Sequence, residues 1–408
     1  MGLNEKMTPT IAPNKRVFEI DVLRGIAVLL VMGFHTPGLP LFSRIGYTGV
    51  DLFFVLSGFL ISNLLFQEYR SRSTIRLARF FMRRAMKIYP SFYLLIGLTV
   101  AYCLMWDFPL NQRKLLGELF LVQNYLGSMW GHTWSLAVEE HFYIFLPLLL
   151  ALMLKFHKKA GNPFEKIPYV FLGVAVLCLG LRVFALHYHF DAGQAAAVQP
   201  NGPDWQLEQV PDRGVFSYLI FGTGDPYTGL RFDSLFCGVL LGYVHNFRPQ
   251  ILTKLMSDPW RFPVSLAGIL CLAPITFFPI GSPFIRTIGF TLLYLGFGTM
   301  LMISIYKDPR QKNAKPGKLA RGIAWVGLYS YAVYLWHFPL ILVFLSIAEH
   351  HPAINPFLVQ LLYIPASILA GVVSAKLVEI PVLKLRERMD RPGTVKTLAP
   401  AGIRVIEL

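Results

Sequence analysis

Residues 47–68 read YTGVDLFFVLSGFLISNLLFQE, and Asp51 is the only charged residue in that stretch before Glu68. Its apolar residues fall on every side of a helix, which is the pattern of a segment surrounded by apolar material. A bilayer is crossed by about 20 such residues, and this run has the length. Working outward from it, runs of the same kind recur at 17–38, 91–107, 134–154, 168–187, 231–247, 262–280, 284–306, 323–347 and 356–379. Together they predict about ten transmembrane helices. The expected fold class is an all-α polytopic membrane protein.

Composition agrees. Of 408 residues, 54% are hydrophobic and only 15% charged, and the mean hydropathy is +0.51; a soluble chain of this length carries far more charge. The first run contains Asp21 and Arg24 and lacks a signal peptide's short apolar core and small-residue cleavage site, so it is read as retained. Lysine and arginine stay preferentially in cytoplasmic loops. With the N-terminus inside, the outer loops hold only Arg44, Arg113, Lys114, Arg213 and Arg286, while the inner segments hold all the basic clusters. That asymmetry predicts both termini in the cytoplasm and a protein surrounded by lipid. It also accounts for the net charge of +15 without a nucleic-acid partner. The organisation expected is a cytoplasmic segment 1–16, one membrane domain 17–383 and a cytoplasmic tail 384–408. The segment 188–230, rich in Gly, Pro and aromatics, reads as an outer loop or an ordinary connector. Cys103, Cys178, Cys237 and Cys271 each stand alone in apolar runs, with no metal-ligand spacing. No metal is expected.

Between the second and third runs, Arg76, Arg79, Arg83 and Lys87 recur at steps of three and four on one helical face. Leu77, Phe80, Phe81 and Ile88 take the other face, so an amphipathic cytoplasmic helix is expected, ended by Pro90 where the next span starts. Its basic face suits anionic lipid headgroups. It equally suits a soluble polyanion such as the phosphates of a coenzyme, which arginine grips bidentately; the binding set is then Arg79, Arg83, Arg84, Lys87 and Tyr89.

An ionisable group inside a span costs about 2.5–3.5 kcal/mol and calls for a partner, a cavity or a function. Arg24 and His35 lie eleven positions apart, close to three helical turns, and so share one face about 16 Å apart along the axis, with His35 nearer the outside. Asp51 is placed either to orient His35 or to form a structural pair with an arginine. A carboxylate on one imidazole nitrogen fixes the tautomer and raises the basicity of the other. The fourth span opens GHTWSLAVEEHFYIFLP, with Trp134, Ser135, Glu139 and Glu140 near the outer end; Ser135 and Glu139 share a face. Arg231 and Asp233 enter the sixth span, where Asp233 either caps or pairs. Tyr334 and His337 sit a turn apart in the ninth, and Glu379 precedes Pro381 at the inner end of the last. Together these residues outline a polar cavity.

The chain resembles the acyltransferase-3 family of integral membrane O-acyltransferases. The resemblance rests on Arg24 followed by ten residues and His35, on GVDLFFVLSGFLI, FFMRRAMKIYP, TWSLAVEEHFY, RFDSLFCGVLLG, SYAVYLWHFP and VEIP, standing in family order from about 17 to 382. It implies transfer of an acyl group, usually acetyl, from cytoplasmic acyl-coenzyme A to a hydroxyl of a glycan, a lipid-linked saccharide or a small molecule. Some members carry a further extracytoplasmic esterase-like domain; a stand-alone transferase is expected here.

The mechanism expected from these placements puts the coenzyme phosphates on Arg79, Arg83, Arg84 and Lys87. His35 acts as general base on the acceptor hydroxyl, with Asp51 or Glu139 orienting it and Arg24 contacting the donor or a buried carboxylate. Trp134, Ser135, Glu140, Arg231, Asp233, Tyr334 and His337 form the acceptor-binding set. A homo-oligomer is compatible with the sequence. The competing reading is a secondary transporter or glycan-lipid flippase, since these also bury His, Glu and Arg; the paired repeats frequent in transporters are not seen.

Overall fold

The computed structural model describes residues 17–36, 39–157, 161–189, 230–306, 315–351 and 355–389. The N-terminal segment 1–16, nearly all of the 188–230 segment and the tail from 390 lie outside the described residues. Among the described residues all regular structure is helical. The main helices are α1 (Phe18–Phe34), α2 (Thr48–Arg72), α3 (Leu77–Met105), α4 (Gln112–Leu119), α5 (Trp134–Phe156), α6 (Ile167–His189) and α7 (Phe232–Phe247). They are followed by α8 (Arg261–Leu272), α9 (Phe290–Ile305), α10 (Lys318–Leu328), α11 (Ser330–His350), α12 (Pro356–Ser374) and α13 (Ile380–Met389).

Seven helices among the described residues are long and apolar enough to cross a bilayer. The other three apolar runs fall on shorter helices: α1, α7 and the Arg261–Phe277 segment that begins with α8. The protein is an all-α polytopic membrane protein.

One expectation is overturned at Pro90. The basic segment and the third span form a single helix, α3, with Pro90 inside it. Proline removes one main-chain hydrogen bond, but in membrane helices neighbouring side chains and local adjustment compensate. The carbonyl that loses its helical donor to Pro90 is that of Met86; nearby, the Tyr331 hydroxyl donates to the Ile88 carbonyl at 2.7 Å.

The chain forms two compact units. Unit 1 takes in Leu29–Ile75 and Asn111–Gly317; unit 2 takes in the described residues up to Val28, Arg76–Leu110 and Lys318 onward. Nothing in the sequence marks this division, because each unit is assembled from separated stretches. In unit 1, α2 packs against α7 at backbone distance. A Cβ on Gly58 would overlap the Leu235 carbonyl oxygen, and one on Gly238 would overlap that of Val55. Small residues allow this approach where lipid offers no hydrophobic drive between helices. At the other end of that pair, Phe66 packs its ring against Phe164 and Phe247 at 5.1 and 5.3 Å.

Unit 2 repeats the device. A Cβ on Gly327 would overlap the Asp21 carbonyl oxygen, and one on Gly25 that of Ile323, so the first half of α1 lies directly on α10. A single π turn, Ala375–Glu379, joins α12 to α13. Such turns rotate one side chain out of helical register and occur often at functional positions; the residue it presents is Glu379.

Candidate active site

His35 follows the last residue of α1, and its ring folds back along the helix, where Nδ1 lies 2.9 Å from the Val31 carbonyl oxygen. A carbonyl can only accept, so a hydrogen bond here puts a proton on Nδ1, and in the neutral ring Nε2 is then the nitrogen with the lone pair. The ring stands edge-on to Phe34, centroids 5.1 Å apart. A half-buried imidazole held this way presents a base.

Asp51, expected either to orient His35 or to pair with an arginine, pairs. Its Oδ2 accepts from Arg231 at 3.2 Å, both side chains being buried. The physical reason is charge. A wholly buried carboxylate needs a cation beside it, and Arg231, at the start of α7, supplies one. Arg231 also lies 3.9 Å over the Phe290 ring and 5.4 Å from that of Trp134, which locks the guanidinium between aromatic faces.

Asp233, expected to cap or to pair, pairs; the N-cap position of α7 is Arg231, and no side chain caps it. Its Oδ1 accepts from the Ser234 backbone N–H at 3.1 Å, while Oδ2 accepts from Arg182 at 2.7 Å. Arg182 also donates to the Leu230 carbonyl and to the Thr291 hydroxyl. Sequence reasoning missed Arg182, although a lone arginine inside the apolar run of α6 was the signal. Two buried ion pairs, Asp51–Arg231 and Asp233–Arg182, therefore brace the start of α7 within unit 1.

Glu139 on α5 is half-buried and Glu140 beside it is buried. Glu139 accepts from the Ser57 hydroxyl at 3.0 Å through Oε1 and from the Tyr143 hydroxyl at 2.6 Å through Oε2. In the sequence, Ser57 reads only as a small packing residue beside Gly58. Ser135, buried one turn before Glu139, donates to the His132 carbonyl at 3.4 Å.

The loop leading into α5 hangs from Glu118 on α4. One carboxylate oxygen accepts from the backbone N–H groups of Met129 and Trp130 at 2.9 and 3.3 Å and lies 2.9 Å from the Thr133 hydroxyl. Glu118 is wholly buried outside the candidate spans, and burial pushes its carboxyl up to about 7 against the pull of those donors. Sequence reasoning missed it as well, because a single Glu in a polar loop carries no signal.

In unit 2, the Arg24 Nε donates to the Ser330 hydroxyl at 3.1 Å. Ser330, Tyr334 and His337 follow one face of α11, all three buried. His337 donates through Nδ1 to the Tyr334 carbonyl, and the two rings lie 5.3 Å apart. Of the basic residues on α3, Arg79, Arg83 and Arg84 are half-buried, and Arg84 lies over the Phe80 ring at 5.8 Å. Tyr89, also half-buried, packs against Tyr93 with ring centroids 5.6 Å apart and planes tilted by 59°.

Lys87 departs from the expected phosphate-binding face. It is buried and donates to Glu379 at 2.6 Å, and the same carboxylate lies 3.4 Å from the Ser91 hydroxyl. One helical turn beyond Arg83, α3 has entered the packed interior, so the lysine charge is matched inside the protein. The π turn that presents Glu379 serves that pairing.

A family model described as an acyltransferase domain, acyltransferase-3, matches residues 17–376. The chain belongs to the acyltransferase-3 family. It is 27% identical over 393 residues to the peptidoglycan O-acetyltransferase OatA of Listeria monocytogenes, covering 91% of this chain and 56% of the relative. It is 28% identical over 385 residues to the O-acetyltransferase OatA of Staphylococcus aureus strain NCTC 8325, covering 90% and 57%. A putative O-acetyltransferase of S. aureus strain COL is 29% identical over 345 residues, covering 79% and 50%. The chain thus spans little more than half the length of the curated relatives it matches. No solved structure matches it.

Proposed function

We propose that this protein is a membrane O-acyltransferase of the bacterial cytoplasmic membrane that moves an acetyl group from acyl-coenzyme A to a hydroxyl of a cell-envelope glycan. Family membership supports the reaction class, and the printed names of the relatives support acetyl as the group and a glycan as the acceptor. The observation that carries the mechanism is the His35–Val31 hydrogen bond, which leaves Nε2 as a fixed base.

An alcohol attacks a thioester effectively only if its proton leaves as the new bond forms. His35 Nε2 takes that proton. The acyl carbon then exchanges its bond to sulfur for one to the acceptor oxygen, and the departing thiolate recovers a proton to become the free thiol. Arg79, Arg83 and Arg84 grip the phosphates of the donor on the cytoplasmic side, and Tyr89 lies further along the same helix. Lys87 is left out of this set because Glu379 already neutralises it.

Trp134, Ser135, Glu140, Arg231 and Asp233 form the acceptor side in unit 1. Tyr334 and His337 belong with Arg24 in unit 2. Arg24 and Ser330 serve the donor. The test is His35→Ala in purified protein: transfer from labelled acetyl-coenzyme A to cell-wall glycan strands should disappear while the amount of folded protein stays at the wild-type level. Retained transfer would remove His35 from the mechanism.

A further inference from the structure

The Ser57, Glu139 and Tyr143 cluster has no task in the one-step transfer just described. Its three members belong to unit 1, and their geometry is that of an activated nucleophile. A hydroxyl (Ser57 Oγ) sits 3.0 Å from a candidate base (Glu139 Oε1), and the base is held from its other oxygen by a third group (Tyr143 OH, 2.6 Å). Nucleophile, base and orienting group within hydrogen-bond reach of one another is the recurring signature of covalent catalysis. The Tyr143 hydroxyl is also 3.3 Å from Ser57 Oγ, so the three groups close into a triangle.

Position adds a second argument. Ser57 is nine residues into the 25-residue α2, about 14 Å along the axis from its first residue. Ser57 therefore lies near the middle of α2, and its partner Glu139 lies little more than a turn into α5. Ser57 and Glu139 are both half-buried, whereas the neighbouring Leu56 and Gly58, and Val138 and Glu140, are buried. A serine and a glutamate that keep part of their surface exposed between buried neighbours are not sealed into the helix packing, and polar groups inside a span call for a function.

We propose that Ser57 is acylated during the reaction and carries the acyl group between the donor and the acceptor. The proposal rests on the transferase reading above. In the first step Ser57 Oγ bonds to the thioester carbonyl carbon and Glu139 takes the serine proton. The carbon–sulfur bond breaks, and the thiolate leaves as thiol with the proton returned from Glu139. In the second step the acceptor hydroxyl attacks the serine ester and His35 Nε2 takes its proton. The ester carbon–oxygen bond breaks, and Ser57 regains its hydroxyl with the proton from His35. Tyr143 is a positioning residue: it fixes the carboxylate and contacts no reacting carbon. Nothing is oxidised or reduced, and donor and acceptor are the only co-reactants.

The experiment uses the full chain in lipid vesicles with acetyl-labelled acetyl-coenzyme A and no acceptor, comparing wild type, His35→Ala, Ser57→Ala and the double variant. His35→Ala blocks only the second step, so label should accumulate on the protein toward one acetyl per chain, as a hydroxylamine-labile ester that peptide mass spectrometry places on Ser57. The double variant should carry none. Ser57→Ala should lose at least 100-fold in transfer to cell-wall glycan strands, and Ser57→Thr, which restores a hydroxyl, should regain part of it. Transfer near the wild-type rate by Ser57→Ala, or no labelled peptide from His35→Ala while the wild type transfers, would overturn the carrier role and leave the transferase reading standing. Absence of transfer in the wild type would instead overturn that reading.

Discussion

His35 Nδ1 donates to the carbonyl oxygen of Val31, one turn earlier on the same helix, at 2.9 Å. The main-chain carbonyl therefore holds the Nδ1 side of the ring. His35→Asn tests this directly, because an asparagine amide can keep the bond to Val31 but offers no basic nitrogen. That variant should fold like the wild type and lose about 10²- to 10⁴-fold in turnover, the range general-base catalysis supplies. A variant with most of its turnover would show that the bond and not the base matters.

Arg83 and Arg84 on α3 are assigned to the donor phosphates. Reversing both to Glu should raise the KM for acetyl-coenzyme A by about tenfold or more, since each charge-assisted bond contributes about 1.5–3 kcal/mol. Turnover at saturating donor should change much less. A KM that stays put, with wild-type turnover but not the variant's depending on the anionic lipid content of the vesicles, would assign the arginines to headgroups.

Arg182 and Asp233 form an ion pair with no exposed side-chain surface. Removing one partner leaves a buried charge, at a cost of about 3–5 kcal/mol, whereas replacing both with apolar residues of similar volume is often neutral. Arg182→Ala should lower the thermal midpoint sharply, and Arg182→Met combined with Asp233→Leu should recover most of it. Thermal unfolding in detergent checks both, and equal loss in the double variant would contradict the pairing account.

Glu118 gives the loop into α5 a pH dependence. Burial raises its carboxyl from the usual 4.5 to about 7, so the folded protein holds this proton more tightly than the unfolded chain does. Its contribution is intact below the ordinary carboxylate range and declines as pH rises toward about 7. The thermal midpoint should fall between about pH 5 and pH 8 in the wild type. Glu118→Gln, which cannot ionise, should flatten that part of the profile, and an unchanged slope would assign it elsewhere.

Much of the fold is legible in the sequence, for identifiable reasons. Apolar runs announce spans because lipid favours backbone that satisfies its own hydrogen bonds, and the arginine-ten-histidine spacing points to His35 only as one of an ordered set of motifs. Partners are not legible. Lys87 and Glu379 lie 292 positions apart and their pairing depends on a π turn that no pattern signals. Pro90 reads as a break, yet the bilayer setting keeps α3 continuous. Arg182 is legible in principle, as a charge in an apolar run, while Ser57 is not, since a serine beside a glycine is ordinary packing material in a membrane helix.

The central claim is covalent acyl transfer to a hydroxyl, and label transfer tests it most directly. Purified protein in sealed vesicles, given acetyl-labelled acetyl-coenzyme A on the side of Arg83 and Arg84 and cell-wall glycan strands on the other, should place hydroxylamine-labile label on the glycan, with the His35→Ala variant placing none. Movement of unmodified glycan or ions without any covalent label would contradict the account and point to a transporter.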